Sequence, residues 1–145
     1  MTNIITINIY HPHQPENIIQ TIDVEYELLK HCQLIQDLYS QFKNEIYIPS
    51  RMETHPDYIK LLCRPYLNLN DIIDGQGPEL IQQIKTLTMV FSFWGSQKLL
   101  DKLAMFFNRK INTDPHFQKS AIHVNDELHK KLEHKILSKF NQLLR

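Results

Sequence analysis

The stretch IITINIYHPHQPENIIQTIDVE, residues 4–25, decides the fold class. Ile5, Ile7 and Ile9 alternate with Thr6, Asn8 and Tyr10. A period of two on β-branched residues reads as a half-buried strand. His11-Pro12-His13-Gln14-Pro15-Glu16-Asn17 reads as a turn, because two prolines interrupt pairing. Residues 18–22 then read as the returning strand of a hairpin. Asp23 is a candidate helix N-cap, with Glu25 in the first turn.

Beyond residue 33 the period changes. Leu34, Ile35, Leu38 and Phe42 follow helical offsets, and Asn44 closes that helix. Residues 45–48 predict a short strand stopped by Pro49. Thr54-His55-Pro56-Asp57 opens a helix, with Thr54 or His55 at the cap and Pro56 in the first turn. Tyr58, Ile59, Leu61 and Leu62 form its apolar side, and Pro65 ends it. Residues 67–77 carry the Asn, Asp and Gly punctuation of a loop. Pro78 starts a helix whose core stripe is Leu80, Ile84, Leu87 and Phe91. Gly95 breaks it and Ser96 is placed to cap the next. That helix carries Leu100, Leu103, Ala104, Phe107 and Ile111. Thr113-Asp114-Pro115 begins a short helical piece. Asn125-Asp126 caps a last helix with Leu128, Leu132, Ile136, Phe140, Leu143 and Leu144 on one side. Strands first and helices after predict an α+β fold, a small, mostly N-terminal sheet of about three strands covered by a helical array.

Composition narrows the function. The 145 residues carry 16 basic and 16 acidic side chains, a balance that argues against a dedicated nucleic-acid binder. Two cysteines make no disulfide framework, which points to a reducing compartment, cytoplasmic or nuclear. No apolar run approaches the roughly 18–20 residues of a membrane helix, so no membrane partner is expected. Residues 1–10 lack the basic start of a signal peptide. Gly75, Gly77 and Gly95 do not form a phosphate-cradling loop, and no cofactor is expected.

Eight histidines raise a metal site, yet His11 and His13 lie on a proline-rich turn and no spaced Cys or His pair completes a set. His129, Glu133 and His134 read as solvated positions on the last helix. Cys32 or Cys63 with a histidine is the one nucleophile candidate, but free cysteine is commonly buried. The sequence reads as a binding module without catalysis. Its last helix must bury its stripe on the body or on a partner. From residue 128 onward that helix carries five cations against one acid, Glu133.

With this layout, the chain resembles the Skp family of ubiquitin-ligase adaptors, a branch of the BTB/POZ fold that includes elongin C. Ile4-Ile5-Thr6-Ile7 and Ile22-Asp23-Val24-Glu25 resemble the family's first hairpin and helix entry. Ile46-Tyr47-Ile48-Pro49 resembles its short strand, and Tyr58-Ile59-Lys60-Leu61-Leu62-Cys63 its next helix. Phe93-Trp94-Gly95 followed by Leu99-Leu100 is similar to its central break and restart. Asn108-Arg109-Lys110-Ile111, Pro115 and Asn125-Asp126 fall where the Skp tail carries similar residues. The chain departs from the pattern at several points. Val90 and Phe91 replace two small residues, Ser92 replaces an Asn, the acidic loop is shortened to residues 67–77, and the tail is basic.

The resemblance implies a BTB/POZ-like body over residues 1–112 and a Skp-like C-terminal helical extension over 113–145. It implies a non-catalytic bridge between a cullin and an F-box protein. The cullin-like side would hold Ser92, Phe93 and Trp94. The F-box-like side would hold Leu103, Phe107, Ile111, Leu128, Leu132, Ile136 and Phe140. A divergent BTB-like module, a paralogue or a pathogen or viral mimic, with another partner or acting as a homodimer, is the second reading. A small enzyme using Cys32 or Cys63 is the third.

Overall fold

Ile5, Ile7 and Ile9 are all buried, as their alternation requires, and each such side chain contributes about 1.5–3 kcal/mol on leaving water. They lie on β1 (Ile4–His11), the central strand of a three-stranded mixed sheet in the computed structural model, which describes residues 3–64, 66–76 and 78–113. On one side β1 pairs antiparallel with β2 (Gln14–Glu25); on the other it pairs parallel with β3 (Glu45–Pro49). Ile46 and Ile48 of β3 alternate inward with the β1 isoleucines. The chain is α+β, with the sheet first and helices after it.

The hairpin differs from its sequence reading. β2 begins at Gln14, so Pro15 lies within a strand. That position is tolerated because β2 is an edge strand, where a missing N–H is least costly. Register shifts at Tyr10 and His11 absorb the extra residues. Asp23 is not a helix cap; it sits in β2 opposite Thr6 and accepts that hydroxyl at 2.7 Å. The helix starts later, at α1 (Tyr26–Leu29).

A polar ladder crosses the other face of the sheet. The Thr21 hydroxyl donates to Asn8 Oδ1 at 3.0 Å, Asn8 Nδ2 donates to Glu45 Oε1 at 3.4 Å, and the Tyr47 hydroxyl donates to that same oxygen at 3.0 Å. This accounts for the buried Asn8, whose amide would otherwise be costly.

After α1 the chain forms α2 (Gln33–Phe42), which lies against β3. Of its predicted stripe only Ile35 is fully buried; Phe42 is 56% exposed. Lys43 ends the helix at a φ of 59°, its N–H bonded to Tyr39 O. Next comes α3 (Pro56–Leu62), whose cap is His55: its Nδ1 accepts the Asp57 N–H at 3.1 Å. The predicted loop holds a 3-10 turn, Leu69–Asp71, capped by Asn68. Then follow α4 (Pro78–Trp94) and α5 (Gln97–Thr113). Their expected core residues Leu80, Ile84, Leu87, Phe91, Leu100, Leu103, Ala104 and Phe107 are buried.

The chain divides into two compact units. The first comprises residues 1–67 with Phe93–Ser96; the second comprises Asn68–Ser92 with the chain from Gln97 onward. Of the expected extension over 113–145, Thr113 belongs to α5 and the rest, with the expected last helix, lies outside the described residues.

Candidate interaction site at the helix corner

Phe93-Trp94-Gly95-Ser96 joins α4 to α5 and belongs to the sheet-containing unit. Trp94 is fully buried, and its indole N–H donates to the Glu53 carbonyl at 2.7 Å. A buried indole needs such an acceptor. Gly95 has a φ of 72°, and a Cβ there would stand 2.9 Å from Gln33 Cβ. Its carbonyl accepts the N–H of Gln33 at 3.2 Å, one of the first N–H groups of α2, which lack a partner inside the helix. Gly95→Ala meets both the left-handed backbone and the contact. It is expected to lose roughly 1–3 kcal/mol of stability, read from denaturant unfolding. A loss below about 0.5 kcal/mol would show that the corner relaxes freely.

His31 fastens the corner from the opposite direction. Its Nδ1 lies 2.7 Å from Ser96 Oγ and its Nε2 lies 2.9 Å from the Leu62 carbonyl. A carbonyl only accepts, so Nε2 carries the proton and Nδ1 receives the Ser96 hydroxyl. One imidazole therefore ties the end of α3 to the corner. Residues 49–54 are held by Thr54, whose hydroxyl accepts the Arg51 N–H at 2.8 Å and donates to Pro49 O at 2.9 Å.

The rim of this assembly is accessible. The Arg51 guanidinium carbon lies 4.8 Å from the centre of the Phe93 ring. Arg51 Nε stands 3.0 Å from Glu53 Oε2, yet that buried oxygen has no aligned hydrogen bond. The contact is an ion pair whose N–H points elsewhere. Phe93 is half-buried and Met52 is 44% exposed. Aromatic, arginine and methionine side chains on a rigid base are the composition of interface centres. Such an arrangement suits docking of a protein surface.

Phe93 and Trp94 fall together at the corner, whereas Ser92 belongs to the second unit; Trp94 faces the interior and supports the rim without forming it. Leu103 and Phe107 are fully buried. Of Ile111 only the helical backbone is described, and Leu128, Leu132, Ile136 and Phe140 lie outside the described residues. The sequence reading missed Arg51, Glu53 and His31. They occupy irregular intervals without periodicity, and only the fold brings them to the corner.

The thiols have little nucleophilic character. Cys32 is buried, and that burial pushes its thiol up to about 12; Cys63 is pushed up to about 11 by the same cause. The His31 nitrogen 3.7 Å from Cys32 Sγ is already taken by Ser96. In the folded protein at pH 8, iodoacetamide is expected to label Cys32 at least roughly a hundredfold more slowly than a free thiol, because the thiolate is the reacting form. Mass spectrometry over time reads this, and labelling at the free-thiol rate would contradict it. Among the described residues no cluster of three or more His, Cys, Asp or Glu could hold a metal ion. Among them, too, no helix is long and apolar enough to cross a membrane.

No protein-family model matches the chain, no curated protein matches it, and no solved structure matches it.

Proposed function

We propose that the chain is a non-catalytic adaptor of the Skp type, with a BTB/POZ-like body, joining a cullin to an F-box-type substrate receptor in a ubiquitin ligase of the cytoplasm or nucleus. The observation that carries this reading is the corner at Phe93-Trp94-Gly95-Ser96, locked by His31, Glu53 and Gln33 while Phe93 and Arg51 stay at the surface. A fixed base with an accessible aromatic and arginine is what a partner-facing hot spot needs. The mixed sheet followed by helices accords with it. In this reading Ser92 and Phe93 meet the cullin, and Leu128, Leu132, Ile136 and Phe140 meet the F-box side.

The test is recovery of partners from eukaryotic cytosol by the tagged chain, beside a version ending at Asp126, read by mass spectrometry. F-box proteins recovered by the full chain and lost on truncation support the adaptor. Cullin recovered with them supports the corner. Leu132→Asp is expected to weaken F-box binding by more than about 2 kcal/mol in titration calorimetry. Unchanged affinity in a folded variant removes Leu132 from the interface.

A second reading has its own observation. Val90 and Phe91 are both fully buried just before Ser92, where the Skp family has small residues. A repacked helix ahead of the corner favours a divergent BTB-like module with another partner or a homodimer. Recovery of neither cullin nor F-box proteins would select it.

A further inference from the structure

The charge of this neutral chain is unevenly placed. Between Lys98 and Lys110, α5 carries four cations against the single acid Asp101. Lys98, Lys102, Met105 and Arg109 recur at steps of four, three and four, which places them on one face of the helix. Lys98 and Arg109 are exposed, Lys102 is half-buried and Met105 is 62% exposed. At the far end of this face a cavity of about 160 Å³ opens beside the 3-10 turn. Arg109 and Lys110 line it together with Asn70. Lys110 Nζ lies 5.6 Å from the centre of the Phe106 ring that forms its apolar wall. Among the described residues neither Arg109 nor Lys110 makes an ion pair, and neither does Asp71 of the adjoining turn.

Cations in the last turn of a helix are favoured by its dipole, which accounts for Lys110. The dipole does not account for Lys98, which stands in the first turn, where it is disfavoured. Nor does it account for an exposed methionine between the charges. A complementary surface accounts for Lys98, Met105 and Arg109 together. The cavity is smaller than the roughly 300 Å³ at which small-molecule sites begin, and it is ample for a carboxylate head.

We propose that this face of α5 docks an acidic segment of a partner protein, with one carboxylate seated between Arg109 and Lys110 and an apolar side chain resting on Met105. Lys98 and Arg109 are eleven residues apart, about 16 Å along the helix, so the segment presents at least two acidic groups over that span. The inference goes beyond the adaptor reading and can fail without it.

The test uses the full chain and a fluorescein-labelled helical peptide of about sixteen residues built from Glu, Ala and Leu, with a counterpart in which Lys replaces Glu. Fluorescence anisotropy at about 50 mM salt is expected to show saturable binding of the Glu peptide alone. Arg109→Glu with Lys110→Glu is expected to weaken it at least about tenfold and to admit the Lys peptide. The charge-matched control Lys60→Glu, on α3, is expected to change it less than about twofold. Should the double reversal fail to give the parent circular dichroism spectrum, Arg109→Gln with Lys110→Gln gives the same reading. No saturable binding, equal loss in Lys60→Glu, or full displacement by millimolar inorganic phosphate would each overturn the proposal. Absence of peptide binding by the unsubstituted chain, with cullin and F-box recovery intact, overturns this inference alone.

Discussion

Trp94→Ala is expected to lower stability by about 3–5 kcal/mol, read from denaturant unfolding. Three effects act together. The largest side chain of the core is removed from a fully buried position, so a cavity remains. The Glu53 carbonyl loses the indole N–H that now reaches it at 2.7 Å. The corner it anchors also carries the Gly95 and Ser96 contacts to Gln33 and His31. Trp94→Phe separates the first two effects. It keeps most of the apolar volume and leaves the carbonyl unpartnered, so a loss of about 1–3 kcal/mol is expected. Trp94 is the chain's single tryptophan, so its fluorescence reports the same burial in the parent protein. A loss below about 1 kcal/mol for Trp94→Ala would mean that the corner is not held through the indole.

Phe91→Ala is expected to cost roughly the same, about 3–5 kcal/mol, through the cavity alone. Phe91 is fully enclosed and ends the stripe Leu80, Ile84, Leu87 on α4. Its substitution is instructive because it tests whether the site requires the volume of an aromatic ring. If the surroundings were built for a small residue, the change would be neutral or favourable. A phenylalanine with no exposed surface indicates instead that neighbouring side chains have adjusted to its volume. Unfolding midpoints for Phe91→Ala and Val90→Ala side by side decide this. A loss below about 1 kcal/mol at position 91 would show that the site still accommodates small residues.

The fold was legible wherever a period ran long enough. Ile5-Ile7-Ile9 disclosed β1, and Pro78 and Gly95 marked the two ends of α4 and the start of α5 to within a residue or two, since they punctuate the chain physically. The hairpin was less legible. Two prolines spoke for a long turn, while the edge position of β2 removed the penalty that argument relied on. Asp23 looked like a cap because capping and cross-strand bonding both want a short carboxylate; only the register with Thr6 distinguishes them. Phe42 looked like core because it keeps helical spacing with Ile35, although α2 ends before that turn is covered. At the corner, Phe93 and Trp94 could be picked out, but not their opposite roles. One ring is closed in by Glu53 and the other is left beneath Arg51, and both partners come from an aperiodic stretch some forty residues earlier.

The passage of residues 93–96 into the sheet-containing unit bears on synthesis. A chain emerging from the ribosome at about 5–20 residues per second exposes β1, β2 and β3 well before Trp94. Glu53 precedes Trp94 by 41 residues, so for roughly 2–8 seconds its carbonyl has no indole to receive it, and the His31 ring waits longer still for Ser96. The sheet-containing unit is therefore completed only after residue 96 has been made. Release before residue 93 leaves that unit without its corner.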